Sequence, residues 1–165
     1  MVAKTDFESR NPGVRSNAIS KNPLLLLDNQ LCFALYSTSL AMTRVYKPLL
    51  DDLGLTYPQY LAMLALWEQD GLMVSQLGEQ LFLDSGTLTP LLKRLESSGL
   101  IARIRDVEDE RRVHIRLTAA GRKLKTKAAK IPGCILSASQ CSLPELTALT
   151  QQVQALREHL KSVSC

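Results

Sequence analysis

The sequence predicts a mainly α-helical domain that carries one small β-hairpin. Three observations predict it. Leucine is the commonest apolar residue while aromatic residues make up only 5% of the chain, a balance that favours helices packed on helices. Apolar residues recur at helical spacing through most of the chain, between capping residues and glycine stops. After Gly99 the period drops from 3.6 to 2 for a short stretch and then returns. At 165 residues and 45% hydrophobic, the chain can build one good core and is short for two, so one domain is expected.

Residues 1–23 mix polar residues, prolines and a glycine without any period and are read as a mobile N-terminal arm, the domain proper running over 24–165. Asp28 is expected to cap the first helix. Its apolar and aromatic positions Leu31, Leu35, Met42, Val45, Tyr46, Leu49 and Leu50 recur until Gly54 ends it, with Pro48 kinking the last turns. Thr56 and Gln59 form a T-x-x-Q capping box for a helix over 57–70, apolar almost all round, which should be the buried centre. Ser75 is expected to cap a short helix over 76–83, and Asp84 another over 85–98, closed by Gly99. In the latter, Leu88, Leu91, Leu92 and Leu95 fall on one face while Ser85, Thr87, Thr89, Lys93 and Arg94 take the other. Pro90 removes a hydrogen bond inside this helix, so either its start is irregular or its first turn comes later.

Beyond Gly99, Ile104 alternates with Arg103 and Arg105, and Val113, Ile115 and Leu117 alternate with Arg112, His114 and Arg116. The loop "DVEDER" between them makes this a hairpin with a long polar tip. Thr118 should cap a helix over 119–140, and Ser142 with Glu145 box the start of a last helix over 143–163. The order is therefore four helices, a hairpin and two helices.

Two short helices joined by a tight turn and followed at once by a two-stranded ribbon describe a winged helix-turn-helix, whose second helix enters a DNA major groove. Ser85, Thr87 and Thr89 sit where such a helix presents base-reading side chains, and Lys93, Arg94, Arg103, Arg105, Arg111 and Arg112 suit phosphates or the groove. The net charge of +4 permits this partner without demanding it. Against it, a mixed-sign run is more often a solvated face, and Asp106, Glu108, Asp109 and Glu110 dilute the positive field.

Other chemistry is poorly supported. The four cysteines are too few and too irregular for a secreted disulfide framework, and no secretory leader or membrane span is expected. A cytoplasmic protein with resting thiols follows from these absences. His114 reads as a surface strand residue and His159 as a helix-end charge; neither has metal-ligand spacing with a cysteine. No phosphate loop or nucleophile elbow appears, so no cofactor, no metal and no enzyme active site is expected.

The stretch "LDSGTLTPLLKRLESSGLIARIRDVEDERRVHIRLTAAG" resembles the core of the MarR family of winged-helix repressors, including a D-x-R wing element at Asp109 and Arg111. "DNQLCFALYSTSLAMTRVYKPLLDDLGLTYPQYLAMLALWE" is similar to the organic-hydroperoxide-sensing branch called OhrR. The resemblance implies a homodimer built by the first and last helices, 24–55 and 118–165, carrying two winged lobes, 56–117, on a pseudo-palindromic operator. It implies that the helix from Ser85 reads the major groove and Arg111 enters the minor groove. Asp84, Arg94 and Arg103 match family positions that orient or contact DNA.

Cys32 then becomes the centre of interest. A lone cysteine on an apolar helix is more often packing than chemistry. Here it lies near a helix N-terminus, where the dipole favours a thiolate, and Tyr36 at i+4 brings a hydroxyl to the same face. The family pattern adds Tyr46 and Tyr57 as further donors. Tyr46 stands fourteen positions along the same helix, about 21 Å away, so it serves that sulfur only from the other subunit. A thiolate attacks the distal oxygen of a hydroperoxide, releases an alcohol and becomes a sulfenic acid, which a second thiol condenses into a disulfide. The surrounding leucines and Phe33 favour organic peroxides.

Relatives of this branch either stop at sulfenic acid or use a second cysteine in the C-terminal helices. The second course is expected, with an intersubunit disulfide from Cys32 to Cys134 or Cys141. Cys134 is preferred because it lies within the helix, and the two share a face if that helix continues unbroken. Cys165 reads as a bystander. Since a disulfide needs Cα atoms within about 7 Å, closing it should rotate the lobes off the operator and derepress a detoxifying gene. Two other readings compete: a repressor released by a small aromatic ligand in the cleft between dimer helices and lobes, and a thiol peroxidase.

Overall fold

The computed structural model describes residues 22–106, 109 and 112–162 in two compact units, one ending at Ser39 and one beginning at Leu40. The expected arm falls almost wholly on residues 1–21, and Arg111, expected in the minor groove, and Cys165, expected to be a bystander, likewise lie outside the described residues. The arm's last two residues already belong to the fold. The Asn22 side chain accepts the Leu24 N–H at 3.0 Å and opens a 3-10 turn over Pro23–Leu25.

In the first unit a second 3-10 turn, Leu27–Asn29, precedes helix α1 (Leu31–Asp51). Asp28 therefore lies inside that turn and does not cap α1. Gln30 takes the cap position. Its backbone is extended and its carbonyl accepts the Ala34 N–H at 3.0 Å, while its side chain donates to Leu24 O at 2.6 Å and Leu26 O at 3.2 Å. Leu24, Leu25, Leu27, Leu31, Leu35 and Tyr36 remain exposed.

The second unit contains the remainder of α1, then α2 (Tyr57–Glu68), α3 (Val74–Leu81), α4 (Ser85–Ser97), β1 (Ile101–Arg105), β2 (Val113–Leu117), α5 (Ala119–Ala128), α6 (Ile131–Ser139) and α7 (Leu143–Ser162). Helix α2 is its centre, as its apolar surface demands. Ala62, Met63 and Leu66 are fully enclosed by Leu50, Leu77, Leu88, Leu92, Leu95, Ile101, Ile115 and Ile131, each buried Leu, Ile or Met side chain contributing roughly 1.5–3 kcal/mol. Leu64 alone of its leucines is open to solvent. The capping box is present, Gln59 Oε1 accepting the Thr56 N–H at 2.8 Å.

Helix α3 begins earlier than expected, with Met73 and not Ser75 at the cap and Gln76 Oε1 accepting the Met73 N–H at 2.9 Å. The cause is distant in sequence. Met73 bridges to His114, Leu72 O accepts the Ile115 N–H and Ile115 O accepts the Gly71 N–H. The chain is thus held extended to Met73 and is free to coil only afterwards. Helix α4 starts at Ser85 without irregularity despite Pro90. The bond Pro90 cannot make would have gone to Gly86 O, at the exposed end of the helix, where water can serve that carbonyl.

In the hairpin Ile101, Arg103 and Arg105 pair with Leu117, Ile115 and Val113. Ile115 and Leu117 face inward as expected, but Ile104 is 47% exposed. Burial of Ile101 opposite Leu117 fixes the parity of β1, which turns Arg103 toward the core side and Ile104 out.

The single helix expected over 119–140 is two. Pro132 occupies the first turn of α6, and its ring excludes continuation from Ala128, where α5 ends. Gln140, left-handed at φ 54°, terminates α6. Cys141 consequently lies in the connection to α7 and shares no continuous helix face with Cys134. Thr118 and Ser142 cap as expected, Thr118 Oγ1 accepting the Gly121 N–H at 3.0 Å and Glu145 accepting the Ser142 N–H at 2.8 Å. Helix α7 buries none of its residues. Among the described residues no helix is long and apolar enough to cross a membrane.

Candidate functional site

Helix α4 and the hairpin form the first part of the site. Leu88, Leu91, Leu92 and Leu95 anchor α4 in the core, so Ser85, Thr87, Lys93 and Arg94 are left exposed and Thr89 half-buried on its free face. Asp84 fixes the start. Its carboxylate accepts the Thr87 N–H and the Thr87 hydroxyl, both at 2.9 Å, and these hydrogen bonds hold its carboxyl below the usual aspartate range. Thr87 is therefore partly committed inside the protein, which leaves Ser85 the least encumbered of the three hydroxyl residues.

Arg103 is half-buried, its N–H donating to Glu96 Oε1 at 3.3 Å and its Nε enclosed with no hydrogen-bond partner. Asp109 shapes the wing tip, accepting the Arg112 N–H at 2.8 Å and pairing with the Arg112 guanidinium at 3.4 Å. His114 differs from the surface strand residue expected. It is half-buried, with Nδ1 3.0 Å from Gly71 O and Nε2 3.2 Å from Asp106 Oδ2.

The second part is the thiol chemistry. Cys32 is the second residue of α1 and exposed, nearer to the helix start than the expected cap implied, and so inside the turn where unpaired N–H groups and the dipole act. Tyr36, one turn on, is 61% exposed, and Phe33 beside Cys32 is half-buried. In the other unit Tyr46 and Tyr57 come together with ring centroids 4.8 Å apart, and Tyr60 joins them 5.9 Å from Tyr46. Burial pushes the Tyr46 phenol up to about 12, with the neighbouring phenols adding to it, and raises Tyr57 and Tyr60 as well. All three keep their protons at neutral pH and are hydrogen-bond donors. Cys134 is an exposed thiol on α6, whereas Cys141 donates from its sulfur to Ser139 O at 3.3 Å.

Sequence reasoning missed Tyr60, although its i+3 spacing from Tyr57 on an apolar helix was a usable signal. It also missed Phe82 at the turn before Asp84, where Arg157 and Lys161 of α7 stand over the ring at 4.5 and 4.4 Å from its centroid. Nothing local in the sequence links those positions. A cleft of about 300 Å³ lies between the second half of α1 and the start of α2, lined by Thr43, Arg44, Lys47, Leu50, Leu55 and Tyr57.

Comparison with known proteins bears on all of this. The pattern of the family described as transcriptional regulator SarA/Rot matches residues 44–128. The organic hydroperoxide resistance transcriptional regulator of Bacillus subtilis (strain 168) is 58% identical over 134 residues, covering 81% of this chain and 91% of that one. AbfR, known from Staphylococcus epidermidis, has been solved reduced and bound to DNA. That structure superimposes with a TM-score of 0.69 at 35% identity, covering 82% of this chain and 95% of its own. Its disulfide form matches with a TM-score of 0.55 at 37% identity over 79% and 91%.

Proposed function

The chain belongs to the MarR family of winged-helix transcriptional regulators, among its organic hydroperoxide regulators, and on that premise we propose how its own residues sense oxidant and act on DNA. The protein is a cytoplasmic homodimer that represses by binding operator DNA in its reduced state. The dimer is supported by α7, whose stripe of Leu143, Leu146, Leu149, Val153, Leu156 and Leu160 recurs at helical spacing with no residue buried, and by the uncovered leucines of the first unit. Residues 24–55 and 118–165 serve association; residues 56–117 are the DNA-binding lobe.

In that lobe Ser85, Thr87 and Thr89 face base edges, while Lys93 and Arg94 meet phosphates. Asp84 sets the start of α4 and acts on DNA through it. Arg103 braces the wing from its inner face, Asp109 shapes the tip, and Arg111 is the minor-groove residue by its D-x-R position.

Cys32 is the sensor. Its thiolate attacks the distal oxygen of an organic hydroperoxide, the O–O bond breaks, the alkoxide leaves as an alcohol after taking a proton, and the sulfur becomes sulfenic acid. Tyr36 of its own helix stabilises the thiolate, together with the partner subunit's Tyr46 and the partner subunit's Tyr57, whose raised ionisation keeps them donors throughout. A second thiol then displaces water from the sulfenic acid to give an intersubunit disulfide. Cys134 is the favoured resolving residue, because its thiol is exposed while Cys141 is tied to Ser139 O.

The observation that carries this reading is the place of Cys32, exposed in the first turn of α1 beside Leu31, Phe33 and Leu35. The test uses a labelled duplex selected from a random-sequence library by the reduced protein. Wild type should lose that duplex on adding one equivalent of cumene hydroperoxide per subunit, and Cys32→Ser should bind it and keep it. Equal release of both proteins would return Cys32 to a packing role.

A further inference from the structure

Phe82 has a left-handed backbone, φ 56° and ψ 38°, a conformation in which a bulky side chain is an outlier and which persists only where surroundings impose it. The C-terminal cap of α3 imposes it, the Phe82 N–H donating to Glu79 O at 3.3 Å and the Leu83 N–H to Gly78 O at 2.9 Å, while the side chain is left 54% exposed. Two cations from successive turns of α7 stand over the ring, Arg157 Cζ at 4.5 Å and Lys161 Nζ at 4.4 Å from its centroid. Glu158 holds both in position, accepting from Arg157 Nε at 3.2 Å and from Lys161 Nζ at 3.1 and 3.2 Å.

What Phe82 controls lies immediately after it. Leu83 N–H donates to Gly78 O at 2.9 Å, and Leu83 O approaches Gly78 so closely that a Cβ there would meet it at 3.0 Å. Asp84 then caps α4. With so little slack, the backbone angles at Phe82 decide the direction in which α4 leaves the turn.

We propose that the Phe82 ring, clamped by Arg157 and Lys161, is a positioning contact through which α7 sets the orientation of α4. This rests on the reading that α4 meets DNA and α7 serves association. Helix α6 carries Cys134 and leads directly into α7. A disulfide at α6 that shifts α7 withdraws the cations, the Phe82 ring and the turn that carries it lose their hold, and the start of α4 tilts away from the groove.

The full-length protein tests this with Phe82→Leu, Phe82→Tyr, the double variant Arg157→Gln/Lys161→Gln and the triple variant combining Phe82→Leu with that pair. Binding is measured by anisotropy with the duplex selected by reduced wild type. Phe82→Leu and the double variant should each weaken binding about fivefold, the triple variant no further than either, while Phe82→Tyr, which keeps an aromatic face, should match wild type. Loss in the double variant without loss in Phe82→Leu would overturn the proposal in favour of direct phosphate contacts by the two cations. Additive losses would overturn it too. Amide hydrogen exchange without DNA gives an independent reading. Leu83, Thr87 and Leu88 should exchange about fivefold faster in the double variant, and unchanged exchange would refute the clamp. Should wild type select no duplex at all, the proposed function fails, and the exchange result still decides the clamp.

Discussion

Replacing Gly121 with alanine should loosen the joint between the winged lobe and α5. A Cβ at this position would lie 2.0 Å from Leu100 O, 3.1 Å from Leu100 C and 3.3 Å from Leu117 Cδ2. Carbon and carbonyl oxygen in contact sit about 3.3–3.6 Å apart, so more than an ångström must be found. Leu100 O cannot yield it, because it accepts both the N–H and the hydroxyl of Thr118 at 3.1 Å. Helix α5 must slide outward instead. Overpacking of this kind costs about 1–3 kcal/mol, and the better helix propensity of alanine returns up to about 1 kcal/mol. A net loss of about 1–2 kcal/mol with a urea slope near 2 kcal/mol/M lowers the unfolding midpoint by about 0.5–1 M. Trp67 is the single tryptophan, and its indole N–H donates to Gly121 O at 2.9 Å, so its emission reports the same joint. Urea titrations of both proteins at one concentration, followed by that emission, measure the effect. An unchanged midpoint with unchanged emission would refute a rigid junction at Gly121.

Three further outcomes follow from the geometry. Tyr57→Phe should slow the reaction of Cys32 with cumene hydroperoxide about tenfold, the worth of one hydrogen bond to a charged group, while DNA binding by the reduced protein stays as in wild type; stopped-flow thiol consumption checks it. An absorbance titration at alkaline pH should find Tyr46 ionising near 12 and not near the ordinary value of 10. Between those values the unfolded chain has lost a proton that the folded one retains, so stability should fall as pH rises from about 10 to about 12. Flat stability across that window would contradict the burial of this phenol. Leu149→Glu with Val153→Glu on α7 should turn the dimer into a monomer in light scattering, and an unchanged mass would mean that α7 is not an interface.

How far the sequence revealed the fold depended on where the deciding chemistry lay. Caps written within four residues, such as Thr56 with Gln59, Asp84 with Thr87 and Ser142 with Glu145, were readable because both partners are local. The start of α3 was not, since Met73 is held extended by strand β2 some forty residues later. The parity of β1 was hidden for the same reason, and a leading Ile104 misled it. Pro132 was a local signal for the break between α5 and α6, and a helix carried through to 140 gives it no weight. In the candidate site, the types and spacing of Cys32, Tyr36, Tyr46 and Tyr57 were legible. The tyrosine cluster's third ring, the inward Arg103, the twofold engagement of His114 and the clamp on Phe82 were not, because each depends on residues brought together by tertiary packing.

The most direct measurement titrates the reduced protein, bound to its selected duplex, with cumene hydroperoxide while recording anisotropy and free thiols in one sample, followed by non-reducing electrophoresis. Sensing through Cys32 predicts that DNA leaves as two thiols per subunit disappear. A covalent dimer then forms in wild type and in Cys141→Ser, and not in Cys134→Ser. Release of DNA with every thiol still free, or full oxidation with DNA still bound, would contradict it.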